Sequence, residues 1–233
     1  MAKRGNIAAS IHAGMCRDSR FGYTLEQSKM WGQTGTGNLT GKTDGVSWSV
    51  KCGDYNCSTS IITAWKTALK GTAYAGKLDG ATWTGNMVDV FVKSGLFVKK
   101  PMSFLAHTGD IYIKPGEHCA MCQTQTPDVL SEFSIGETGT GFGNKVGDQT
   151  GKESSVHAYY DLPWSCILHY NGKADSGVSS SNSGSKTAVK TINVDAIAKE
   201  VIDGKWGNGD ARKRKLGDYF VKVIQARVNE LCR

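Results

Sequence analysis

Residues 172–190, running Gly172-Lys-Ala-Asp-Ser-Gly-Val-Ser-Ser-Ser-Asn-Ser-Gly-Ser-Lys and on to Lys190, hold almost no side chain worth burying. Such a stretch gains too little apolar burial to offset the entropy of ordering its backbone, so it predicts a flexible tether. The chain therefore divides into residues 1–171 and residues 191–233, and each part must build its own core. The first is long enough for a full domain. The second lies near the lower size limit for independent folding.

The larger part changes texture half-way. Ile7 to Met15, Cys57 to Leu69, and Gly85 to Lys93 (with Met87, Val88, Phe91 and Val92) carry apolar residues at helical spacing. After them come strand signals. Asp110-Ile-Tyr-Ile-Lys114 runs into the turn Pro115-Gly116 and then into His118 to Thr124, followed by Val129 to Ile135 and Trp164 to Tyr170. Gly136 to Gly151 is glycine-rich and predicts a long exposed loop. Helices first and an antiparallel sheet afterwards is the α+β pattern. In the smaller part, Val194, Ile197, Ala198, Val201 and Ile202 recur at helical spacing and Gly204 ends the run. Asp210 and the stripe from Tyr219 to Leu231 predict two more helices, making a three-helix unit.

Composition excludes several classes. A hydrophobic fraction of 39% supports a packed core. No apolar run has the length of a transmembrane helix, so no membrane partner is expected. The N-terminus MAKRGNIAASIHAGM is basic but lacks the apolar centre of a secretory signal. A net charge of +7 favours anionic partners: nucleic acid, anionic lipid or a bacterial wall. The aromatics do not interleave with the basic residues, which argues against nucleic acid. The seven cysteines are an odd number, and a chain of this size needs no disulfide framework, so free thiols are expected. Cys119-Ala-Met-Cys122 with Cys52 and Cys57 invites a zinc reading, but strand alternation puts Cys119 and Cys122 on opposite faces. No metal and no cofactor is expected.

One cysteine stands where a helix begins. In Gly53-Asp-Tyr-Asn-Cys57-Ser-Thr-Ser-Ile-Ile, Asp54 and Asn56 are capping types, while Ile61, Ile62, Trp65 and Leu69 form the buried stripe behind. A helix N-terminus stabilises a thiolate, and its N–H groups can hold an oxyanion. A nucleophilic cysteine also needs an imidazole base and a group to orient it. Of the five histidines, His118 follows a tight hairpin at the start of a strand, from which it can reach a helix end. Glu132 is the one charged residue in Leu-Ser-Glu-Phe-Ser-Ile, and burying it there is costly unless it is paired. A hydrogen bond to His118 resolves that cost and fixes the tautomer. An inert buried cysteine and a structural histidine are the competing readings of the same residues.

Residues 20–170 resemble the papain-like peptidoglycan amidohydrolases, the NlpC and CHAP superfamily, and within it the phage amidase branch. Phe21-Gly-Tyr23-Thr-Leu-Glu-Gln is similar to the tyrosine motif ahead of the nucleophile, and Asp54-Tyr-Asn-Cys57-Ser-Thr-Ser to its Asp-Cys-Ser-Ser motif. Gly109-Asp-Ile-Tyr-Ile resembles the strand before the histidine, and Ser131-Glu132-Phe the strand of the third residue. The resemblance implies Cys57 as nucleophile, His118 as general base and acid, and Glu132 as orienting group, with Tyr23 beside the thiol helping to hold the oxyanion. Asn56 directly precedes the cysteine where the family carries aspartate. Glu132 stands where many relatives carry histidine, which leaves Ser131 and Ser134 open for the third role.

Val201-Ile-Asp-Gly204-Lys-Trp206-Gly-Asn-Gly209-Asp-Ala-Arg212, with Leu216 and Ile224-Gln-Ala-Arg227, is similar to the short cell-wall-binding repeat at the ends of phage lysozymes. Trp206 offers a flat face for a sugar and Arg212 a donor fork for a peptide carboxylate. Equally, Trp206 fits as the core of a tiny bundle. Together the two resemblances imply a phage endolysin acting on bacterial peptidoglycan, made in the host cytoplasm and reaching the wall after release. N-acetylmuramoyl-L-alanine amidase activity is the reading that the amidase branch implies. A stem-peptide endopeptidase using the same site, and a non-catalytic wall-binding protein, are the alternatives. Oligomeric state is not encoded legibly.

Overall fold

The structure, a computed structural model, describes residues 3–125, 128–143, 145–175, 194–205 and 228–229. The chain divides into two compact units, Met1–Ser179 and Ser180–Arg233. The larger unit is α+β. Helix α1 (Lys3–Arg17) is followed by a hairpin of β1 (Asn38–Thr43) and β2 (Val46–Lys51), then α2 (Cys57–Leu69) and α3 (Thr84–Lys93). Strands β3 (Phe97–Lys100), β4 (Ile111–Lys114), β5 (His118–Gln125), β6 (Asp128–Phe133), β7 (Ser154–Ala158) and β8 (Cys166–Tyr170) complete it. They form one antiparallel sheet in the order β3-β8-β4-β5-β6-β7.

Both faces of this sheet are covered, which explains why its central strands read as nearly continuous apolar runs. On one face Ile111, Ile113, Cys119, Met121 and Phe133 meet the helices, packing with Ile7, Ile11, Met15, Ile61, Ile62 and Trp65. On the other face Tyr112, Ala120, Cys122, Leu130 and Ile167 lie under Trp164 and the segments around Phe104 and Tyr159-Tyr160. Cys119 and Cys122 thus fall on opposite faces, as the alternation predicts. The six cysteines described are free thiols.

Three expected helices and four expected strands are present, with ends shifted by a few residues. Four strands escaped the sequence reading. The β1–β2 hairpin turns on Asp44-Gly45, both at positive φ, the backbone a tight two-residue hairpin turn demands. Its alternation was weak because much of the hairpin is exposed. Strands β3 and β7 are short edge strands of mixed polarity. The hairpin is a separate two-stranded sheet set among the helices, and the six-stranded sheet follows all three of them, as expected.

The first residues of the segment expected as a tether are ordered on the larger unit. Residues 173–175 form a turn of 3-10 helix on the larger unit. There Asp175 accepts hydrogen bonds from the Arg4 backbone N–H (2.8 Å) and the Tyr170 hydroxyl (3.2 Å). Residues 176–190 lie outside the described residues. In the smaller unit, α4 (Val194–Ile202) ends at Gly204, whose φ is +76°. The two further helices expected there, with Trp206 and Arg212, lie outside the described residues apart from Val228 and Asn229.

Helix α1 passes so close to the loop before β4 that a Cβ on Gly5 would stand 2.6 Å from the Thr108 carbonyl oxygen. Replacing glycine by alanine inside a helix ordinarily stabilises by about 0.5–1 kcal/mol. Forcing a methyl group against backbone costs about 1–3 kcal/mol, so here the clash outweighs the propensity gain. Gly5→Ala is expected to lower the thermal midpoint of the protein. A rise would show that this contact is not tight.

Candidate active site

Asn56 is the N-cap of α2. Its side-chain oxygen accepts from the N–H groups of Ser58 (3.0 Å) and Thr59 (2.8 Å), and the Thr59 hydroxyl accepts from the Asn56 N–H (2.8 Å). Cys57 is therefore the first helical residue, and the cap does not consume its N–H. Asp54 has a different task from the capping one its position suggests. It accepts from the Gly147 N–H at 2.8 Å and so ties the 136–151 loop to the segment ahead of the helix. Buried Glu153 makes the matching tie, accepting from the Tyr23 N–H (2.9 Å) and the Gln149 N–H (3.0 Å). That loop is irregular, as expected, but docked. Residues 22–24 run beside Tyr55, with Thr24 N–H to Tyr55 O and Tyr55 N–H to Gly22 O both at 2.9 Å. This brings Tyr23 within electrostatic reach of Cys57.

His118 opens β5 close enough to the Cys57 sulfur for each to shift the other's pKa. Its Nε2 donates to Glu132 Oε2 at 2.9 Å, which leaves Nδ1 for the thiol, and its ring lies against Trp164 with centroids 5.9 Å apart. Glu132 is only 7% exposed and has two more partners. The Tyr160 hydroxyl donates to Oε2 at 2.8 Å, and His157 Nε2 stands 3.3 Å from Oε1. The structure thus joins His118 to Glu132 by a hydrogen bond, with Cys57 within electrostatic reach of the imidazole and Tyr23 of the sulfur. Ser131 does not join them, because the adjacent strand position faces the helices. Ser134 is exposed beyond the strand end.

The charges follow from these contacts. The neighbouring Cys119 and the His118 imidazole together outweigh burial and draw the Cys57 thiol down to about 5. Burial would lower the His118 pKa, but the nearby Cys57 and the hydrogen-bonded Glu132 carboxylate outweigh it and push the imidazole up to about 9. Burial likewise works against an ionised Glu132, and the His118 and Tyr160 donors hold it below the usual carboxylate range. Burial, reinforced by the Cys57 charge, raises Tyr23 so that it keeps its hydroxyl proton. The row is a thiolate, an imidazolium and a carboxylate at neutral pH.

Sequence reasoning missed Tyr160, His157, Trp164, Cys119 and His12. The last is fully buried in α1 among apolar residues. Gln123 Nε2 donates to Ser131 Oγ (2.7 Å), and Ser131 Oγ lies 2.6 Å from His12 Nδ1. On the far side His12 Nε2 lies 3.0 Å from Ser60 Oγ, which donates to the Cys57 carbonyl at 3.1 Å. Counting donors assigns every proton: the ring is neutral, protonated on Nε2, and accepts from Ser131 on Nδ1. This chain links α2 to β5 and β6 through α1. A second imidazole–carboxylate pair, His169 Nδ1 to Asp110 Oδ2 at 2.9 Å, ties the start of β4 to β8.

Burial lowers the His12 pKa from 6.5 to about 3. The unfolded chain therefore takes up this proton at a higher pH than the folded one, and the folded state loses stability as pH falls through that window. In His12→Gln this loss is absent. The stability advantage of wild type over the variant is expected to shrink between about pH 6.5 and 4 in urea titrations. Parallel curves would contradict the buried neutral ring.

Residues 130–188 match the family model of an endolysin-like domain. Residues 195–232 match that of the CW_7 repeat, a cell-wall repeat. No curated protein and no solved structure matches the chain. The first match covers Glu132, His157, Tyr160 and Trp164 and begins beyond Cys57 and His118; the second covers Trp206 and Arg212. Together they support a cell-wall-acting endolysin with a cell-wall repeat.

Proposed function

We propose that this chain is a cysteine-dependent peptidoglycan hydrolase. Cys57 is the nucleophile, His118 the general base and acid, Glu132 the orienting carboxylate, and Tyr23 an oxyanion donor. The observation that carries this reading is the His118–Glu132 hydrogen bond within electrostatic reach of a sulfur at the first position of a capped helix.

In that reading the Cys57 thiolate attacks the carbonyl carbon of a wall amide, and the displaced π electrons move onto its oxygen. The Cys57 N–H, unused by the cap, and the protonated Tyr23 hydroxyl receive the oxyanion. Collapse expels the amine, which takes its proton from His118 and leaves a thioester. Water then attacks that thioester, losing a proton to His118, and the thiolate departs from the new carboxylic acid. Glu132, fixed by Tyr160 and His157, keeps the imidazole oriented and stabilises its charge throughout. The muramoyl–L-alanine bond is the substrate we assign, on resemblance to the amidase branch. Cleavage within the stem peptide requires nothing different of these residues.

The repeat in residues 195–232 would hold the enzyme on peptidoglycan and raise the local concentration of its site by tethering. Trp206 and Arg212 are the contacts we assign to it. Synthesis in the host cytoplasm and passage to the wall after release complete the proposal.

Cys57→Ala is expected to reduce wall hydrolysis at least about a thousandfold, and Glu132→Gln by about 10²–10⁴-fold. Undiminished lysis by Cys57→Ala would overturn Cys57 as the nucleophile. Mass spectrometry of digested wall separates the two bonds: new N-terminal alanine marks the amidase, and divided stem peptides mark the endopeptidase. The thiolate forms above about pH 5 and the imidazolium persists to about pH 9. The rate on a soluble fragment is therefore expected to be bell-shaped with its plateau between those limits. A rate that climbs steadily through pH 9 would mean that a neutral thiol, not the ion pair, is the resting state.

A further inference from the structure

An imidazole enclosed in an apolar core needs a reason, and His12 has a partner on each ring nitrogen. It is fully buried on α1, with the Phe133 ring 5.8 Å away between centroids. Ser131 Oγ lies 2.6 Å from Nδ1 and Ser60 Oγ 3.0 Å from Nε2. Burying such a ring is costly unless both nitrogens are satisfied, and here both are. The two serines stand beside groups of the proposed chemistry. The Ser60 hydroxyl reaches back along α2 to the Cys57 carbonyl at 3.1 Å. Ser131 directly precedes Glu132 in β6.

The two ends of this chain of contacts decide the direction of every hydrogen bond in it. A carbonyl only accepts, so Ser60 gives its one hydroxyl proton to the Cys57 carbonyl and accepts from His12 Nε2–H. At the other end Gln123 Nε2 donates to Ser131 Oγ at 2.7 Å, which directs the Ser131 proton to His12 Nδ1. All the donors therefore point one way, from β5 through β6 and α1 to the carbonyl of the nucleophile's own residue. Bonds aligned head to tail polarise one another, and only one tautomer of the ring satisfies both ends. A serine bonded back to a carbonyl one turn earlier is common in helices. What sets Ser60 apart is that its hydroxyl is also held from another helix. The same face of α1 takes a second hold on β6, since Cys16, one turn after His12, donates its S–H to the Glu132 carbonyl at 3.5 Å.

We propose that His12 is a positioning residue for the nucleophile, a strut between the first turn of α2 and β6 that sets where Cys57 stands relative to the strand carrying Glu132. The inference rests on the reading of Cys57 as the reactive group. His118 belongs to β5, and β5 is paired with β6 at Met121 and Ser131, so the strut also holds α2 against the strand of the base. His12 touches no substrate and keeps its proton throughout. Loosening the strut leaves every reacting group present but less well aligned, and a misplacement of about 1 Å can cost about a hundredfold in rate.

The test compares Ser60→Ala and Ser131→Ala, alone and together, with His12→Gln and His12→Leu in the full chain. Thermal melts establish which variants are folded; the serine variants each lose a single oxygen and carry the test if His12→Leu does not fold. Rates are measured on a soluble muramoyl-peptide. Iodoacetamide alkylation of Cys57, located by peptide mass, is followed from about pH 4 to 9. Ser60→Ala is expected to lower kcat about tenfold while KM changes less than about twofold. It is also expected to raise the alkylation midpoint of Cys57 by about half a pH unit, because a sulfur less well held beside His118 is harder to ionise. Both serines act through one ring, so the double variant is expected to lose no more than about the larger single loss. Glutamine offers an N–H toward Ser60 and an oxygen toward Ser131, so His12→Gln is expected to recover most of what His12→Leu loses. The proposal is overturned if folded Ser60→Ala keeps the wild-type kcat or the wild-type midpoint, if the two serine losses multiply, or if folded His12→Gln is as poor as His12→Leu. Wall digestion that persists in Cys57→Ala would instead sink the hydrolase reading, and the alkylation midpoints would then decide the role of His12 by themselves.

Discussion

The reciprocal cap between Asn56 and Thr59 decides where α2 begins, and the proposed chemistry depends on that starting point. One residue later, Cys57 would be the cap and its N–H would have no fixed direction. One residue earlier, the thiol would turn away from β5 by a helical step of roughly 100°. The cap pins the first turn locally. Longer-range contacts then pin the whole helix, since Trp65 donates to the Gly109 carbonyl and Arg4 donates to the carbonyl of Ala68. The His12 chain adds a third tie, at the Cys57 carbonyl itself.

Around this fixed point the protein buries charges that would be costly alone. A carboxylate as enclosed as Glu132 is tolerated because the His118 ring and the Tyr160 hydroxyl both donate to its Oε2. His118 remains cationic against its own burial because an anion lies on each side of it. Removing any one member leaves an uncompensated charge, so the row is cooperative and its members have no separable energies. Tyr160 and His157, both against Glu132, come from β7 and the segment after it, within the stretch that matches the endolysin-like domain. The nucleophile and His118 come from earlier in the chain.

Much of this was legible in the sequence, for reasons that differ by residue. Helix α2 read correctly to both ends because a capping residue and an apolar stripe agreed. Cys57, His118 and Glu132 stood out because each is a chemically unusual residue for its local setting. Strand alternation alone could have dismissed Ser131, which must face away from its neighbour Glu132. Tyr160 could not have been found that way: it sits 28 residues from Glu132, in an irregular segment with no period to place it. Cys119 and His12 look like ordinary core residues in sequence, and only packing reveals what their polar atoms meet. The β1–β2 hairpin was legible in principle from Asp44-Gly45 but was hidden by its weak alternation.

The central claim is that Cys57 is the reactive thiolate on which activity depends. Near pH 6 an ordinary thiol, with a pKa of about 8.5, is almost wholly protonated. At that pH limiting iodoacetamide is expected to label Cys57 alone among the seven cysteines. Wall hydrolysis should fall in strict proportion to the fraction labelled. Full wall hydrolysis by protein fully labelled at Cys57 would contradict it.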